Sequence, residues 1–358
     1  MKIGLLTFHD TTNFGSFLQT YGLFKALINL GFDCEVIDYK CNAIAARELP
    51  RKKPENYSIR GIAKFLLIDK MIAKKYHAFQ KTQHETLKLS REYTLENIAD
   101  AQTEYDAILT GSDILWNLNI TDADMTYFLD FVKDNNKKYA FSTSIGETWN
   151  EEEKKKIEPY LKTFRKIALR EKDSVDWITD LYPGQVYSVC DPTMLLECSE
   201  WERFIPDHLK MSGEYVLVYF YNDDLLRDAK EFARKNNCKV AVINYGLPIR
   251  GVKNIHPYQT GEFLSLIRHS KAVFTSSYHG MLFSIYFKIP FLCYARQNGN
   301  NVRFKTVLEK LGLEKNFITT KFQDTEINID YEKVSVEINK WRQESLNILK
   351  GYWDNSIN

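Results

Sequence analysis

Ile3-Gly4-Leu5-Leu6-Thr7-Phe8, followed by His9-Asp10-Thr11-Thr12-Asn13-Phe14-Gly15-Ser16 and later by Cys34-Glu35-Val36-Ile37-Asp38-Tyr39, is the stretch on which the fold turns. The first run is an apolar strand and the second a polar loop. Between the loop and the last run, Phe17, Leu18, Tyr21, Phe24, Ala26, Leu27 and Leu30 recur at helical spacing, and Gly31 supplies a C-cap. The third run is a second strand. Strand, helix and strand make a βαβ unit, whose right-handed crossover commits the sheet to parallel pairing.

The same alternation continues outward. Strands are predicted at 107–110, 138–142, 166–170 and 186–190, each running into a polar or glycine-bearing turn. A second block begins at Tyr215-Val216-Leu217-Val218-Tyr219-Phe220 and continues through 239–244, 272–275 and 290–294, with helices between. The pattern predicts an α/β protein of two Rossmann-like, doubly wound domains whose strand C-terminal edges face a cleft. The expected domains are 1–200 and 201–330, joined within about 197–214, with a C-terminal helix in 331–358 packing back on the first. An insert at about 51–80 interrupts the first domain. Its 62–75 portion mixes apolar residues with Lys64, Lys70, Lys74 and Lys75 at helical spacing. That suits either an interfacial helix at a membrane surface or a packed helix with a solvated lysine face.

Composition narrows the function. The chain has 358 residues, 44% hydrophobic and 27% charged, as expected of an ordinary globular protein of about two domains. A net charge of +1 gives no global field toward nucleic acid. The six cysteines are scattered without a CxxC, which predicts free, buried thiols in a reducing compartment. No His/Cys grouping has zinc spacing, so no metal site is expected. The start of the chain lacks a signal-peptide pattern and no apolar run is long enough to span a bilayer, so a cytoplasmic location is expected.

The most informative single residue is His279. Lys271-Ala272-Val273-Phe274 reads as a buried strand and Met281 to Phe287 as a buried helix, with Thr275-Ser276-Ser277-Tyr278-His279-Gly280 as the turn between them. Such a turn aims backbone N–H groups out of the sheet's carboxyl edge, and an imidazole there can give or take a proton near neutral pH. The alternative is a histidine that merely sits on its own helix start. Arg170 ends another predicted strand; it either faces a ligand or pairs with Glu171 or Asp173.

Taken together, the turns Asn13-Phe14-Gly15-Ser16-Phe17-Leu18-Gln19, Gly111-Ser112-Asp113-Ile114-Leu115-Trp116, Leu169-Arg170-Glu171-Lys172, Asp191-Pro192-Thr193 and Ser276-Ser277-Tyr278-His279-Gly280 resemble the polysaccharide pyruvyl transferases. The resemblance runs from about residue 1 to 315 with the turns in the family's order. It implies a GT-B-like fold and transfer of the pyruvyl skeleton of phosphoenolpyruvate onto a sugar as a ketal, with phosphoenolpyruvate as co-substrate and no other cofactor. His279 matches the family's histidine and would move the proton. Arg170, Arg303, Ser277, Tyr278 and Gly280 would bind the donor, and backbone N–H groups at 277–280 would hold its phosphate. Asn13, Gly15, Gln19, Ser112, Asp113 and Trp116 would face the acceptor, Trp116 by stacking on a pyranose. For these six a structural role as loop, cap or core residues is the open alternative.

One departure stands out. Enzymes of the family with well-defined ketal chemistry tend to carry Arg-Leu-His where this chain has Ser277-Tyr278-His279. The lost arginine would have to be replaced by Arg303, Arg296 or Lys305. The implied setting is capsule or exopolysaccharide synthesis in bacteria. The acceptor would be a hexose such as galactose in a polyprenyl-diphosphate-linked unit at the inner face of the membrane. The alternatives are a GT-B glycosyltransferase using a nucleotide sugar, against which the lack of a clear GxGxxG argues, and a non-catalytic sugar-binding protein.

Overall fold

Strand β1 (Lys2–Leu6) is buried on both faces along Ile3, Gly4, Leu5 and Leu6, which marks it as the interior of a parallel sheet. The computed structural model describes residues 1–206, 211, 213–296, 301–320, 322 and 327–353. Around β1 stand β2 (Asp33–Tyr39), β3 (Leu89–Tyr93), β4 (Ala107–Gly111), β5 (Lys138–Thr143), β6 (Lys166–Leu169) and β7 (Val186–Ser188). They form a seven-stranded sheet in the order β3-β2-β1-β4-β5-β6-β7. A second sheet of six strands has the order β10-β9-β8-β11-β12-β13. Its members are β8 (Tyr215–Tyr219), β9 (Lys239–Ile243), β10 (Lys253–Ile255), β11 (Ala272–Thr275), β12 (Phe291–Tyr294) and β13 (Phe317–Ile318). Pairing is parallel throughout both sheets. The fold class is therefore α/β, with two doubly wound domains of Rossmann type.

The central strands match the sequence expectation within a residue or two. Three strands had no counterpart in it: β3, β10 and β13. All three are sheet edges; β3 and β10 mix polar and exposed residues, and β13 is only two residues long.

By internal contacts the first unit comprises residues 1–48, 81–196 and 338–358, and the second 49–80 and 197–337. Residues 49–80, an insert in the chain of the first half, thus belong with the second unit. Two cation–π contacts lie along that join: Lys74 is 4.2 Å from the Tyr258 ring centroid and Lys75 4.3 Å from that of Tyr245. In the first unit, the end of helix Tyr331–Lys350 is fastened by Arg342, whose Nε donates to Met194 O at 2.7 Å, and by Ser345, whose Oγ accepts from Cys190 N–H at 3.0 Å.

The first crossover helix, Phe14–Asn29, is buried over most of its circumference. Asn13 caps its start, and a Schellman turn ends it, Gly31 N–H bonding Ile28 O (2.9 Å) and Phe32 N–H bonding Leu27 O (3.1 Å) with Gly31 at φ +89°. Gly22 in mid-helix lets the Pro192 turn approach, since a Cβ there would lie 2.5 Å from Pro192 O. All six cysteines are free; Cys34, Cys41, Cys190 and Cys293 are buried, Cys198 and Cys238 half-buried. Burial pushes the Cys190 thiol up to about 12. Among the described residues no helix is long and apolar enough to cross a membrane, and none of their side chains form a metal-binding cluster.

Candidate functional site

Strand order reverses between β1 and β4 in the first sheet and between β8 and β11 in the second. At such a reversal the connections leave to opposite sides, opening a crevice beyond the strands' carboxyl ends where α/β proteins bind ligands. The turns at Asn13–Gln19, Gly111–Trp116 and Ser276–Gly280 fall at these two places, whereas those at Arg170 and Asp191 follow β6 and β7 farther along the first sheet.

In the first unit, β4 ends into Ser112 and Asp113, two consecutive non-glycine residues in the left-handed region, at φ +75° and +52°. Each such residue costs about 1–3 kcal/mol and persists only where its surroundings hold it. Here the hold is visible. Asp113 Oδ1 accepts from Ile114 N–H at 2.9 Å, and its other oxygen accepts from the Ser16 hydroxyl. Asn13 Oδ1 accepts from Gly15 N–H at 2.8 Å, so both residues serve the start of the helix. Beside them lies a cavity of about 190 Å³, lined by Thr11, Asn13, Ser16, Arg47, Glu48 and Asp113 among others. Arg47 and Glu48 had not been singled out. They end helix Asn42–Glu48, which leaves β2 at the same sheet edge, so the βαβ pattern could have found them. Glu48 is fixed by Thr12, whose N–H and hydroxyl donate to it at 2.8 and 2.7 Å.

The other expected acceptor residues lie deeper. Trp116 is fully buried, its ring stacked on Phe128 at 5.1 Å and its Nε1 donating to Tyr127 O at 3.0 Å. It therefore has no face to offer a pyranose; it is core. Ser112 is fully buried, and its Oγ has no hydrogen-bond partner among the described residues. Gln19 is also buried, with Oε1 accepting from Arg170 Nη1 at 3.1 Å. Gly15 contributes only its N–H to the Asn13 cap.

Arg170 does not present itself to a ligand either. It is 2% exposed, with Nε 3.1 Å from Glu171 and Nη1 3.0 Å from Asp191. Both carboxylates are buried too, held by Ser144 (2.6 Å to Glu171) and by Thr193 N–H and hydroxyl (2.9 and 2.7 Å to Asp191). The guanidinium is thus taken up inside the protein by two buried carboxylates. The ion-pair alternative holds, with Asp191 in the place expected of Asp173. Near the end of β1, His9 is likewise internal: Nε2 sits 2.8 Å from Asp38, which also binds Lys40 at 2.8 Å. Burial raises the Asp38 carboxyl, but His9 and Lys40 outweigh it and bring the group down to about 2.

In the second unit, β8 ends into Phe220, at φ +52°. The neighbouring turn is stitched to it: Thr275 Oγ1 donates to Tyr219 O at 2.6 Å, and Ser276 Oγ to Phe220 O at 2.5 Å. Helix Tyr278–Tyr286 starts immediately beyond, capped by Ser277, whose Oγ accepts from Gly280 N–H at 3.2 Å. Ser277 N–H is taken by Thr275 Oγ1 at 2.9 Å. Two of the four N–H groups expected for a phosphate are thus used inside the turn. Gly280 is required by packing, since a Cβ would come within 2.8 Å of Thr275 Oγ1 and 3.3 Å of the Tyr219 ring.

His279 lies half-buried in the helix's first turn, its ring edge-on to buried Tyr278 at 5.2 Å. Two guanidiniums flank this turn. Arg303 is 5.5 Å from the Tyr278 centroid. Arg296 donates through Nε to Ser276 O at 2.9 Å and lies 5.7 Å from the Phe220 centroid. Among the described residues no carboxylate pairs with Arg296, and burial lowers its guanidinium from the ordinary value. A bound anion would reverse that penalty. Lys305 is exposed on the following helix, and the loop residues 297–300 before Arg303 lie outside the described residues. The arrangement joins a cation, a helix start and an imidazole, which is the equipment to bind an oxyanion and move a proton beside it.

A family model described as polysaccharide pyruvyl transferase matches residues 13–298. None of the curated protein sequences matches the chain. Among solved structures, the UDP-GlcNAc 2-epimerase of Methanocaldococcus jannaschii in complex with UDP-GlcNAc and UDP is similar at a TM-score of 0.52 and 12% identity, covering 98% of this chain and 100% of that one. A putative UDP-N-acetylglucosamine 2-epimerase from Listeria monocytogenes gives 0.51 and 10%, covering 98% and 90%. At these identities the likeness is one of fold, two Rossmann-like domains of the GT-B kind.

Proposed function

The chain belongs to the polysaccharide pyruvyl transferase family, and on that premise we propose that it moves the pyruvyl group of phosphoenolpyruvate onto two hydroxyls of one sugar as a ketal. The observation that carries the proposal is the Ser276–Gly280 turn at the β8/β11 reversal, with His279 on its first helical turn and Arg296 bonded to its backbone. Phosphoenolpyruvate brings a phosphate and a carboxylate. Arg296 takes one of them, in the role left vacant by Ser277 where related enzymes carry arginine, and Arg303 adds a second cation.

His279 in its protonated form gives a proton to the methylene carbon of the enol. The adjacent carbon becomes oxocarbenium-like and is attacked by a first sugar hydroxyl, whose proton returns to the imidazole. The carbon–oxygen bond to phosphate then breaks, and a second hydroxyl of the same sugar closes the ring, its proton going to the departing phosphate. The products are the ketal and inorganic phosphate; no further cofactor enters. The cavity of the first unit, with Asn13, Ser16, Asp113, Arg47 and Glu48, has the hydrogen-bonding groups that sugar hydroxyls need. The acceptor we favour is a hexose such as galactose in a polyprenyl-diphosphate-linked repeat unit, handled on the cytoplasmic side during capsule or exopolysaccharide synthesis.

The test is mass spectrometry of candidate acceptor glycans incubated with the protein and phosphoenolpyruvate, coupled to phosphate release. A ketal adduct is expected with wild type, none with His279→Gln, and a raised KM for phosphoenolpyruvate with Arg296→Gln. Thermal stabilisation by UDP-sugars with none by phosphoenolpyruvate would instead make the chain a nucleotide-sugar enzyme.

A further inference from the structure

Surface helices normally turn their apolar stripe inward. Residues 57–67 do the reverse. Helix Ile59–Lys64 continues through a π-turn, Phe65–Asp69, into helix Lys70–Thr86. On the inner side Gly61 and Asp69 are buried and Phe65 and Ile68 half-buried. On the outer side stand Ile59 (91% exposed), Ile62, Leu66 and Leu67 (72%), spaced as one helical face, with Tyr57 (75%) just before them. Among the described residues, the exposed large apolar side chains elsewhere stand singly or, at Phe220 and Tyr221, as one adjacent pair; here five fall within residues 57–67.

The surrounding charge is as lopsided. Residues 49–75 hold eight Lys and Arg against Glu55 and Asp69, in a chain whose net charge is only +1. Glu55 is taken up by Arg51 at 2.6 Å and Lys64 at 3.1 Å, and Lys74 and Lys75 lie against aromatic rings. Lys52, Lys53, Arg60 and Lys70 make no ion pair among the described residues.

We infer that this outward face is a docking surface for an anionic phospholipid bilayer, with Ile59, Leu66 and Leu67 entering the interface and Lys52, Lys53, Arg60 and Lys70 meeting the headgroups. An apolar stripe rimmed by unpaired cations is the pattern by which interfacial helices bind anionic lipid. A second copy of the chain fits it poorly, because a two-fold contact would set this cationic rim against its own duplicate. The lysines that matter are not Lys74 and Lys75, which are engaged within the second unit. The surface is independent of the chemistry proposed above, and its failure would leave that chemistry standing.

The experiment is co-sedimentation of the full chain with phosphatidylglycerol-rich vesicles and with pure phosphatidylcholine vesicles. Binding to the anionic vesicles alone is expected, and it should fall sharply in 1 M salt, where the screening length shrinks to about 3 Å. Lys52→Gln, Lys53→Gln, Arg60→Gln and Lys70→Gln should each weaken binding about fivefold, at the usual contribution of a cation near an anionic surface. Ile59→Ser with Leu67→Ser should weaken it by roughly two orders of magnitude, and because both residues are exposed the melting temperature should not move. Equal binding by wild type and the serine variant, or no binding at all, would overturn the inference. So would self-association in sedimentation velocity that the serine variant abolishes, since the face would then be an interface between copies.

Discussion

Replacing Arg170 with methionine separates two roles that a strand-end arginine can have. Methionine keeps much of the side chain's volume and removes the charge. In the structure that charge faces Glu171 at 3.1 Å and Asp191 at 3.0 Å, with all three residues at most 2% exposed. Removing one partner of a buried pair leaves an uncompensated charge and typically costs about 3–5 kcal/mol. For a domain of this size each kcal/mol lowers Tm by about 2–4 °C, so a fall of roughly 6–20 °C is expected. Calorimetric unfolding measures it directly. The triple change Arg170→Met, Glu171→Gln, Asp191→Asn should recover a large part of the loss, because neutral amides leave no buried charge. If Arg170→Met instead melts within about 2 °C of wild type while the KM for phosphoenolpyruvate rises, less than about 1 kcal/mol of stability is at stake. The guanidinium would then serve the ligand, and the buried-cluster argument would be wrong.

Three further outcomes are expected. Gly280→Ala forces a Cβ to within 2.8 Å of Thr275 Oγ1; overpacking of this kind costs about 1–3 kcal/mol, and circular dichroism melts should show it. Ser112→Gly removes a side chain held at φ +75° and a buried hydroxyl without a partner, so the variant should be more stable by about 1 kcal/mol, with equal or lower stability counting against the strain argument. The Asp38 carboxyl is lowered from 3.8 to about 2, so its contribution is complete above about pH 5 and fades as pH falls through 4 toward 2. The stability gap between wild type and Asp38→Asn, measured by denaturant titration, should therefore close as pH falls from about 5 toward 2.

The interior of both sheets was legible because parallel central strands are apolar on both faces, and runs such as Ile3–Leu6 and Tyr215–Tyr219 carry that signature unbroken. The edges β3, β10 and β13 were not. One face of an edge strand meets solvent and one row of its backbone is unpaired, so Leu89-Ser90-Arg91-Glu92-Tyr93 has no pattern to distinguish it from loop. At the candidate sites, position along the chain revealed which turns reach the sheet edges, but not which way their side chains point. Trp116 follows two left-handed residues that swing the chain inward, and no spacing rule foretells that. Arg170 and Arg296 both follow strands; the tertiary placement of Asp191, a residue from another strand's end, adds a second carboxylate to Arg170, while Arg296 meets no carboxylate among the described residues. The lysines of 62–75 were ambiguous for the same reason, since their aromatic partners Tyr245 and Tyr258 come from far along the sequence.

The distribution of free thiols makes each sheet its own clock. Cys34 on β2 and Cys190 just after β7 are buried in the first unit, and Cys293 on β12 is buried in the second. Burial holds all three in the unreactive thiol form. A thiol reagent can therefore modify them only when the surrounding strands open. Mass-resolved labelling of Cys34 and Cys190 against Cys293 times the opening of one domain independently of the other, without adding a probe to either.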